Sequence, residues 1–215
     1  MQSLLYVFVY IILFKFLCLE HRWTPYLSDS SIQTVNGKIR IKVVTTSACG
    51  DTANFIAKLV LVYDEYKQFL EIEFVPWGRT KIENGTLICQ FGESDCWNNR
   101  LHRCVLNMLK DDHYAKVQYM GCEFTKSAAE FLQGTYRCAE DVGLNFNDVE
   151  YCMTTTGNLL ERPAYEASIE PMQVLDFVPS IVFNDIVDLG NHIKLENNYI
   201  FYIHIIILRV MSTGS

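Results

Sequence analysis

The sequence predicts an α/β fold, and three successive segments support this. Lys38–Thr46 and Leu70–Val75 alternate apolar with polar side chains, which is typical of half-buried strands. Between them, Ala53–Phe69 carries apolar residues at helical spacing. A strand, a helix and a second strand in this order favour a right-handed crossover between two parallel strands.

The rest of the chain adds helices, one more strand and a tail. We expect a loop over Trp77–Gln90. Four later segments have helical spacing of their apolar residues: Asn98–Leu109, Lys126–Cys138, Phe146–Thr154 and Leu159–Ala167. Phe177–Asn184 predicts a strand, with Pro179 near its start, at a sheet edge or in a cis turn. The hydrophobic tail, residues 197–215, contains a 13-residue apolar run, Asn198–Val210, that is too short to span a membrane cleanly. A final strand or helix is the alternative interpretation.

Length and composition limit the function. A chain of 215 residues makes one domain with short appendages, and its 50% hydrophobic content is enough to bury a core. Its 18 Lys and Arg stand against 25 Asp and Glu, a net charge of −7. This balance argues against a nucleic-acid partner, which requires a basic face. The oligomeric state does not follow from the sequence.

Residues 1–20 predict a secretory signal peptide. Leu4–Phe14 is an unbroken apolar run that Lys15 ends, and it is shorter than the roughly 18 residues that a membrane span needs. No basic residue precedes the run, so an uncleaved anchor is the alternative. Either interpretation directs the chain to the secretory pathway, where disulfides persist. The single sequon, Asn84-Gly85-Thr86, then predicts a glycan on Asn84.

The cysteines indicate disulfide bonds and one free thiol. With Cys18 in the signal peptide, seven cysteines remain, and Cys49 stands apart from the others. We expect the other six to pair among themselves: Cys89, Cys96, Cys104, Cys122, Cys138 and Cys152. A zinc site is the alternative, but no C-x2-C pair is present and we expect no metal. If Cys96 and Cys104 share one helix, about 12 Å separates them, more than the roughly 7 Å that a disulfide allows. They should then have other partners.

Cys49 is the candidate nucleophile. It follows a predicted strand and precedes a predicted helix, and the N–H groups of a helix N-terminus favour a thiolate. Thioredoxin-like proteins place a C-x-x-C motif and a cis-proline in this way, and Pro179 is the candidate proline. Here Thr52 occupies the position of the second cysteine; its hydroxyl can donate to a thiolate but cannot form a disulfide. Asp51 opposes thiolate formation, and an inert buried thiol is the alternative.

A sixteen-residue motif points to a family. Cys89–Cys104 reads CQFGESDCWNNRLHRC and resembles the signature C-Q-H-G-x2-E-C-x2-N-x4-C of the gamma-interferon-inducible lysosomal thiol reductase family. Phe91 replaces the signature His and Asp95 replaces the signature Glu, while the other six defined positions match. Further similarity includes Gly121-Cys122, taken as following a strand, and Val178-Pro179.

The resemblance implies a thioredoxin-like fold with a helical, disulfide-bearing insertion over about residues 91–162, in a domain spanning residues 36–196. It also implies a thiol–disulfide oxidoreductase that acts on disulfide-bonded or unfolded protein substrates in lysosomes or outside the cell. With Thr52 in place of the second cysteine, the expected mechanism uses one thiol, no bound cofactor and an external small thiol as reductant. The alternative is a catalytically impaired relative that binds such peptides.

Overall fold

A computed structural model describes residues 37–193. The predicted signal peptide and the hydrophobic tail lie outside the described residues. None of the helices between Gly37 and Ile193 is both long and apolar enough to cross a membrane.

A three-stranded sheet forms the centre of the described chain. Strand β1 (Ile39–Thr45) lies between β2 (Leu70–Pro76) and β5 (Ser180–Phe183). β1 and β2 are parallel, with Ile39 opposite Leu70, as the crossover pattern predicted. β5 runs antiparallel to β1 and is fully buried, and it begins directly after Pro179.

Helix α1 (Gly50–Tyr66) connects β1 to β2 and covers one face of the sheet. Its buried side chains include Phe55, Ile56 and Leu59, which share a core with alternate residues of β1 and β2. The helix begins three residues before the apolar stripe starts, because its first turn is solvent-exposed at Gly50 and Asp51 and carries no apolar signal. The end of the predicted helix is a separate 3₁₀ turn, Lys67–Phe69.

The predicted loop after β2 contains a short hairpin, which corrects the sequence prediction. Strands β3 (Lys81–Glu83) and β4 (Thr86–Ile88) pair in antiparallel fashion. Each has only three residues, too few to show an alternating pattern. Asn84 and Gly85 connect them with φ values of 50° and 79°, and positive φ at both central residues is the requirement of a tight two-residue hairpin turn.

The remaining helices form one helical region between β4 and β5. They are α2 (Glu93–Met108), α3 (His113–Glu123), α4 (Ala128–Gln133), α5 (Arg137–Asp141), α6 (Phe146–Tyr151), a π turn (Cys152–Thr156), a 3₁₀ turn (Gly157–Leu160) and α7 (Glu161–Val174). α7 covers the opposite face of the sheet from α1, where Ala164, Ala167 and Met172 pack near Val44, Val75 and Trp77. The helical insertion predicted by the resemblance is therefore present.

Several elements in this region differ from the predictions: α3 was not predicted, and α7 ends at Val174 rather than at Ala167. α2 begins at Glu93 rather than Asn98, and the predicted Lys126–Cys138 helix is two helices separated at Gly134. Gly134 has φ 68°, a left-handed conformation that ends α4 and that glycine adopts without strain. Gly121-Cys122 lies within α3 and does not follow a strand, because the apolar residues there pack as one face of a helix.

Three disulfides connect the region. Cys89 bonds to Cys96 at the start of α2, Cys104 of α2 to Cys152, and Cys122 of α3 to Cys138 of α5. Cys96 and Cys104 both lie on α2 and have other partners, in agreement with the helical spacing argument. Within residues 37–193 the one free cysteine is Cys49. The disulfides leave no cysteine cluster for the zinc alternative in this range.

Candidate functional site

The loop between β1 and α1 places Cys49 at the N-cap of α1. Cys49 has extended backbone angles, φ −83° and ψ 120°, and its carbonyl oxygen accepts the N–H of Ala53 at 3.0 Å. Its own N–H donates to the Thr46 carbonyl oxygen at 3.2 Å. Cys49 therefore carries its sulfur at the N-terminus of α1, where the N–H groups of the first turn have no partner within the helix.

The sulfur lies beside the proline loop that the sequence singled out. The Val178-Pro179 peptide bond is cis, and the Cys49 thiol donates to the Val178 carbonyl oxygen at 3.5 Å. The two parts meet because β5 is the antiparallel neighbour of β1, so its start lies next to the end of β1. Cys49 is 9% exposed, so most of the residue is shielded from solvent.

Thr52 lies within the first turn of α1 and is fully buried. Its Oγ1 has no hydrogen-bond partner in the described part of the chain, so it does not donate to the Cys49 sulfur as the sequence allowed. A buried hydroxyl without a partner costs about 1–3 kcal/mol. Thr52 therefore fills the second cysteine position of the motif without contributing a polar contact.

A buried carboxylate, which the sequence analysis did not assign a role, holds the loop before Cys49. Asp95 of α2 is fully buried, and its Oδ1 accepts from Ser47 Oγ at 2.6 Å and from the Ala48 N–H at 3.2 Å. Thr46 Oγ1 donates to both carboxylate oxygens at 2.9 Å. Asn99 accepts the Ser47 N–H at 2.9 Å. The only sequence signal was that both residues lie in the family signature.

The other side of the loop is fixed by the chain that follows β2. Gly78 has φ 50°, and a Cβ there would come within 2.8 Å of the Thr46 Cβ. Only glycine allows this close approach. The residues before Cys49 are thus packed between α2 and the Trp77–Gly78 turn.

A buried arginine of the signature segment supports the same turn. Arg103 Nη1 donates to the Pro76 carbonyl oxygen at 2.8 Å, and the guanidinium lies 5.4 Å from the Trp77 ring centroid. Burial lowers the pKa of Arg103 to about 10, although Glu161 raises it; the nearby Arg100 lowers it further. Arg103 still carries its charge at neutral pH, which favours the cation–π contact with Trp77.

A cavity of about 620 Å³ opens between this turn and α7. Trp77, Arg79, Tyr165, Met172 and Asp176 are among its lining residues. Arg79 donates to the Asp176 carbonyl oxygen at 2.5 Å, and Asp176 lies two residues before Val178. The cavity therefore borders the proline loop and offers both aromatic and charged groups beside it.

The other predicted site residue, Asn84, lies at the exposed tip of the β3–β4 hairpin. Among residues 37–193, no three His, Cys, Asp or Glu side chains are grouped so that they could hold a metal ion.

Comparison with solved structures identifies the fold. The chain matches ScsC of Proteus mirabilis in a transitional conformation with a TM-score of 0.52 at 14% identity, over 86% of this chain and 74% of that one. It matches DsbA of Chlamydia trachomatis with a TM-score of 0.52 at 13% identity, over 82% of this chain and 96% of that one. These likenesses confirm the predicted thioredoxin-like fold.

Comparison of sequences identifies the family. Residues 40–142 match the family model described as gamma interferon inducible lysosomal thiol reductase (GILT). "GILT-like protein 1" of Drosophila melanogaster is 29% identical over 167 residues, which are 69% of this chain and 66% of that protein. The "gamma-interferon-inducible lysosomal thiol reductase-like protein" of Anopheles gambiae is 25% identical over 169 residues, 70% of this chain and 69% of that protein. The matched family segment contains Cys49 and the whole cysteine signature, and this match, together with the similar insect proteins, supports membership of the gamma-interferon-inducible lysosomal thiol reductase family.

Proposed function

We propose that this chain is a thiol–disulfide oxidoreductase that acts on protein disulfides through one nucleophilic cysteine, Cys49. The observation that carries the proposal is the position of its sulfur, at the N-terminus of α1 and 3.5 Å from the carbonyl oxygen that precedes cis-Pro179. Cys49 is the free cysteine among the described residues, and the thiolate of a free cysteine is the attacking species in disulfide exchange. Family membership supports the same chemistry.

The first step is an exchange. The Cys49 thiolate attacks one sulfur of a substrate disulfide, so a Cys49–substrate disulfide forms and the substrate disulfide breaks. The second substrate sulfur leaves as a thiolate and takes a proton from solvent. The proline loop can hold an extended substrate segment, since main-chain groups there can pair with a peptide as an added strand does.

The second step needs a thiol that the described chain does not supply. Thr52 has no sulfur, and the six other cysteines between residues 37 and 193 are in disulfides. A small external thiol attacks the Cys49 sulfur and releases the reduced substrate. A second small thiol then attacks that mixed disulfide and frees Cys49. Two small thiols become one small disulfide, while one substrate disulfide becomes two thiols.

Insulin reduction tests this proposal. With a small thiol present, the wild-type protein should accelerate reduction above the rate of the small thiol alone. Without it, the protein should form one mixed disulfide per chain and stop. Cys49→Ser should abolish both results while keeping the fold. A Cys49→Ser variant as active as the wild type would contradict the proposal.

A second candidate function is peptide binding without turnover. Two observations favour it: Cys49 is only 9% exposed, and Thr52 replaces the cysteine that would release a substrate. Labelling of Cys49 with iodoacetamide at pH 5 and pH 8 separates the two. Fast labelling at pH 5 supports the oxidoreductase. Negligible labelling, combined with retention of a reduced and alkylated insulin chain by both wild type and Cys49→Ser, supports the binder.

We further propose a location in the secretory pathway, lysosomal or extracellular. Three disulfides in one domain are typical of oxidising compartments, which supports this location. An exposed sequon at a hairpin tip is accessible to glycosylation. Protein secreted from eukaryotic cells should therefore shift in mass on endoglycosidase treatment. Thr86→Ser should keep the shift, and Asn84→Gln should remove it. An unchanged mass in the wild type would contradict a glycan on Asn84.

A further inference from the structure

The residue that the structure places behind the nucleophile is Asp95. Its carboxylate is 0% exposed, yet it makes no ion pair with any Lys or Arg that the structure describes. Neutral donors surround it instead, from the loop before Cys49, from Phe91 and from Asn99. Desolvating a carboxylate is costly, and hydrogen bonds to the charged form are the compensation available here.

The donors are arranged so that the carboxylate fixes the backbone just before Cys49. Thr46, Ser47 and Ala48 are three consecutive residues, and each donates to Asp95. Cys49 comes next and has no side-chain cap of its own. Its N-cap conformation therefore depends on the loop that Asp95 holds.

The position of Asp95 is itself fixed. It precedes Cys96, whose disulfide to Cys89 closes the segment that leads into α2. Within that closed segment the Phe91 N–H donates to Asp95 Oδ2 at 3.3 Å. Asn99, one turn later on α2, donates to Asp95 Oδ1 at 3.1 Å and accepts from the Ser47 N–H. The cysteine signature thus forms a rigid support against which the nucleophile loop is placed.

We infer that Asp95 is a positioning residue for Cys49: its buried carboxylate holds the Thr46–Ala48 loop so that the Cys49 sulfur stays at the proline loop. This inference rests on the proposed function for its catalytic meaning. Asp95 does not touch the substrate or the sulfur, so it acts through the loop. Glu, which the family signature has at this position, keeps the carboxylate with one more methylene group.

The test compares three variants with the wild type. Asp95→Asn keeps the size of the side chain but replaces one acceptor oxygen with an NH2 group. The groups around that position are themselves hydrogen-bond donors, so the NH2 group cannot pair with them. We expect the maximal rate of insulin reduction, with saturating small thiol, to fall roughly tenfold with little change in KM, since hydrogen bonds to a charged group are lost at the loop alone. Asp95→Glu should stay within about threefold of wild type, because it retains the charge-assisted bonds. Glu93→Gln is the control, since Glu93 is exposed in the first turn of the same helix.

A second readout does not depend on activity. Amide hydrogen exchange of the peptide that covers residues 46–53 should be faster in Asp95→Asn than in wild type, and unchanged in Glu93→Gln. If Asp95→Asn does not fold, Ser47→Ala can replace it, because it removes one of the donors to Asp95. We then expect a smaller fall in the insulin-reduction rate and a smaller increase in amide exchange. If Asp95→Asn and Ser47→Ala both reduce insulin at the wild-type rate and exchange the amides of residues 46–53 at the wild-type rate, the inference is overturned. An inactive wild type whose exchange still depends on Asp95 would overturn the proposed function alone.

Discussion

Two residues near Cys49 depart from the family motif, and they have opposite consequences. Thr52 stands where the motif has its second cysteine, and its hydroxyl is buried without a hydrogen-bond partner among the described residues. Asp95 replaces Glu but keeps a carboxylate, which still accepts hydrogen bonds from three consecutive loop residues. The chain therefore retains the hydrogen bonds that hold the loop before Cys49 and lacks the second thiol of the motif.

Restoring the second thiol should restore two-step turnover. Thr52→Cys places a thiol one helical turn after Cys49, where it can attack the mixed disulfide and release the substrate. A thiol is a weaker hydrogen-bonding group than a hydroxyl, so the free energy of unfolding should not fall. We expect a rise of roughly tenfold or more in insulin reduction at low small-thiol concentration, since the internal step has a high effective concentration.

Two controls isolate that effect. Thr52→Val has nearly the same shape without a thiol and should leave the rate at the wild-type value. Thr52→Cys combined with Cys49→Ser should show no gain. If Thr52→Cys folds and reduces insulin no faster than wild type, the missing cysteine is not the limit, and peptide binding becomes the better function.

At the scale of elements, a buried ionic cluster joins α2 to the end of α3. Glu123 lies 3.2 Å from His102 Nε2 and 2.8 Å from Lys126 Nζ, and the side chains of all three are at most 2% exposed. Burial alone would raise the pKa of Glu123. The hydrogen bonds and charges of His102 and Lys126 outweigh it and hold the pKa below its ordinary value. The ionised carboxylate therefore contributes stability to the helical region.

The sign of this shift sets a pH dependence. Because the folded-state pKa of Glu123 is lowered, its contribution is present above the ordinary value of 4.5 and is lost as pH falls through the folded value. Glu123→Gln should lower the free energy of unfolding by about 3 kcal/mol at pH 7, since it leaves the buried Lys126 ammonium without its charged partner. The variant should also lose less stability than wild type between pH 5 and pH 3.

Urea unfolding at several pH values measures both effects. Glu130→Gln is the matched control, because Glu130 also has a lowered pKa, from Ser127 and Arg137, but its side chain is 34% exposed. We expect a much smaller change there. If the two substitutions lowered the free energy of unfolding equally at pH 7, burial of the Glu123 cluster would not account for its contribution to stability.

The two disulfides that connect helices should contribute different amounts to the free energy of unfolding. Cys104–Cys152 spans 48 residues and Cys122–Cys138 spans 16. Loop-closure entropy of the unfolded chain predicts about 4 kcal/mol for the longer loop and about 3 kcal/mol for the shorter. Double Cys→Ala variants of each pair, compared by urea unfolding with Cys49→Ala as the control, test the order. A clearly larger cost for the shorter loop would contradict the entropic account.

At the scale of the whole molecule, the sequence predicted what depends on local periodicity, on spacing and on the resemblance to thioredoxin-like proteins. The parallel pairing of β1 and β2, Cys49 at the start of α1 and the cis bond before Pro179 agree with the structure. The β3–β4 hairpin was missed because its three-residue strands are too short to show a pattern. The role of Asp95 was missed because its partners in the loop before Cys49 lie 47 to 49 residues earlier in the chain, and only the tertiary fold brings them together.

The number of free and disulfide-bonded cysteines can be measured for the whole chain and compared with the structure. After removal of residues 1–20 the chain has seven cysteines, of which six are paired in the structure. Secreted protein alkylated in denaturant without reductant should therefore carry one label, on Cys49, by mass spectrometry. Cys49→Ser should carry none, and full reduction of the wild type should give seven labels. A retained leader would add Cys18 as an eighth cysteine in the reduced count. No label on the unreduced wild type would mean that Cys49 is already bonded, which would contradict a free nucleophile.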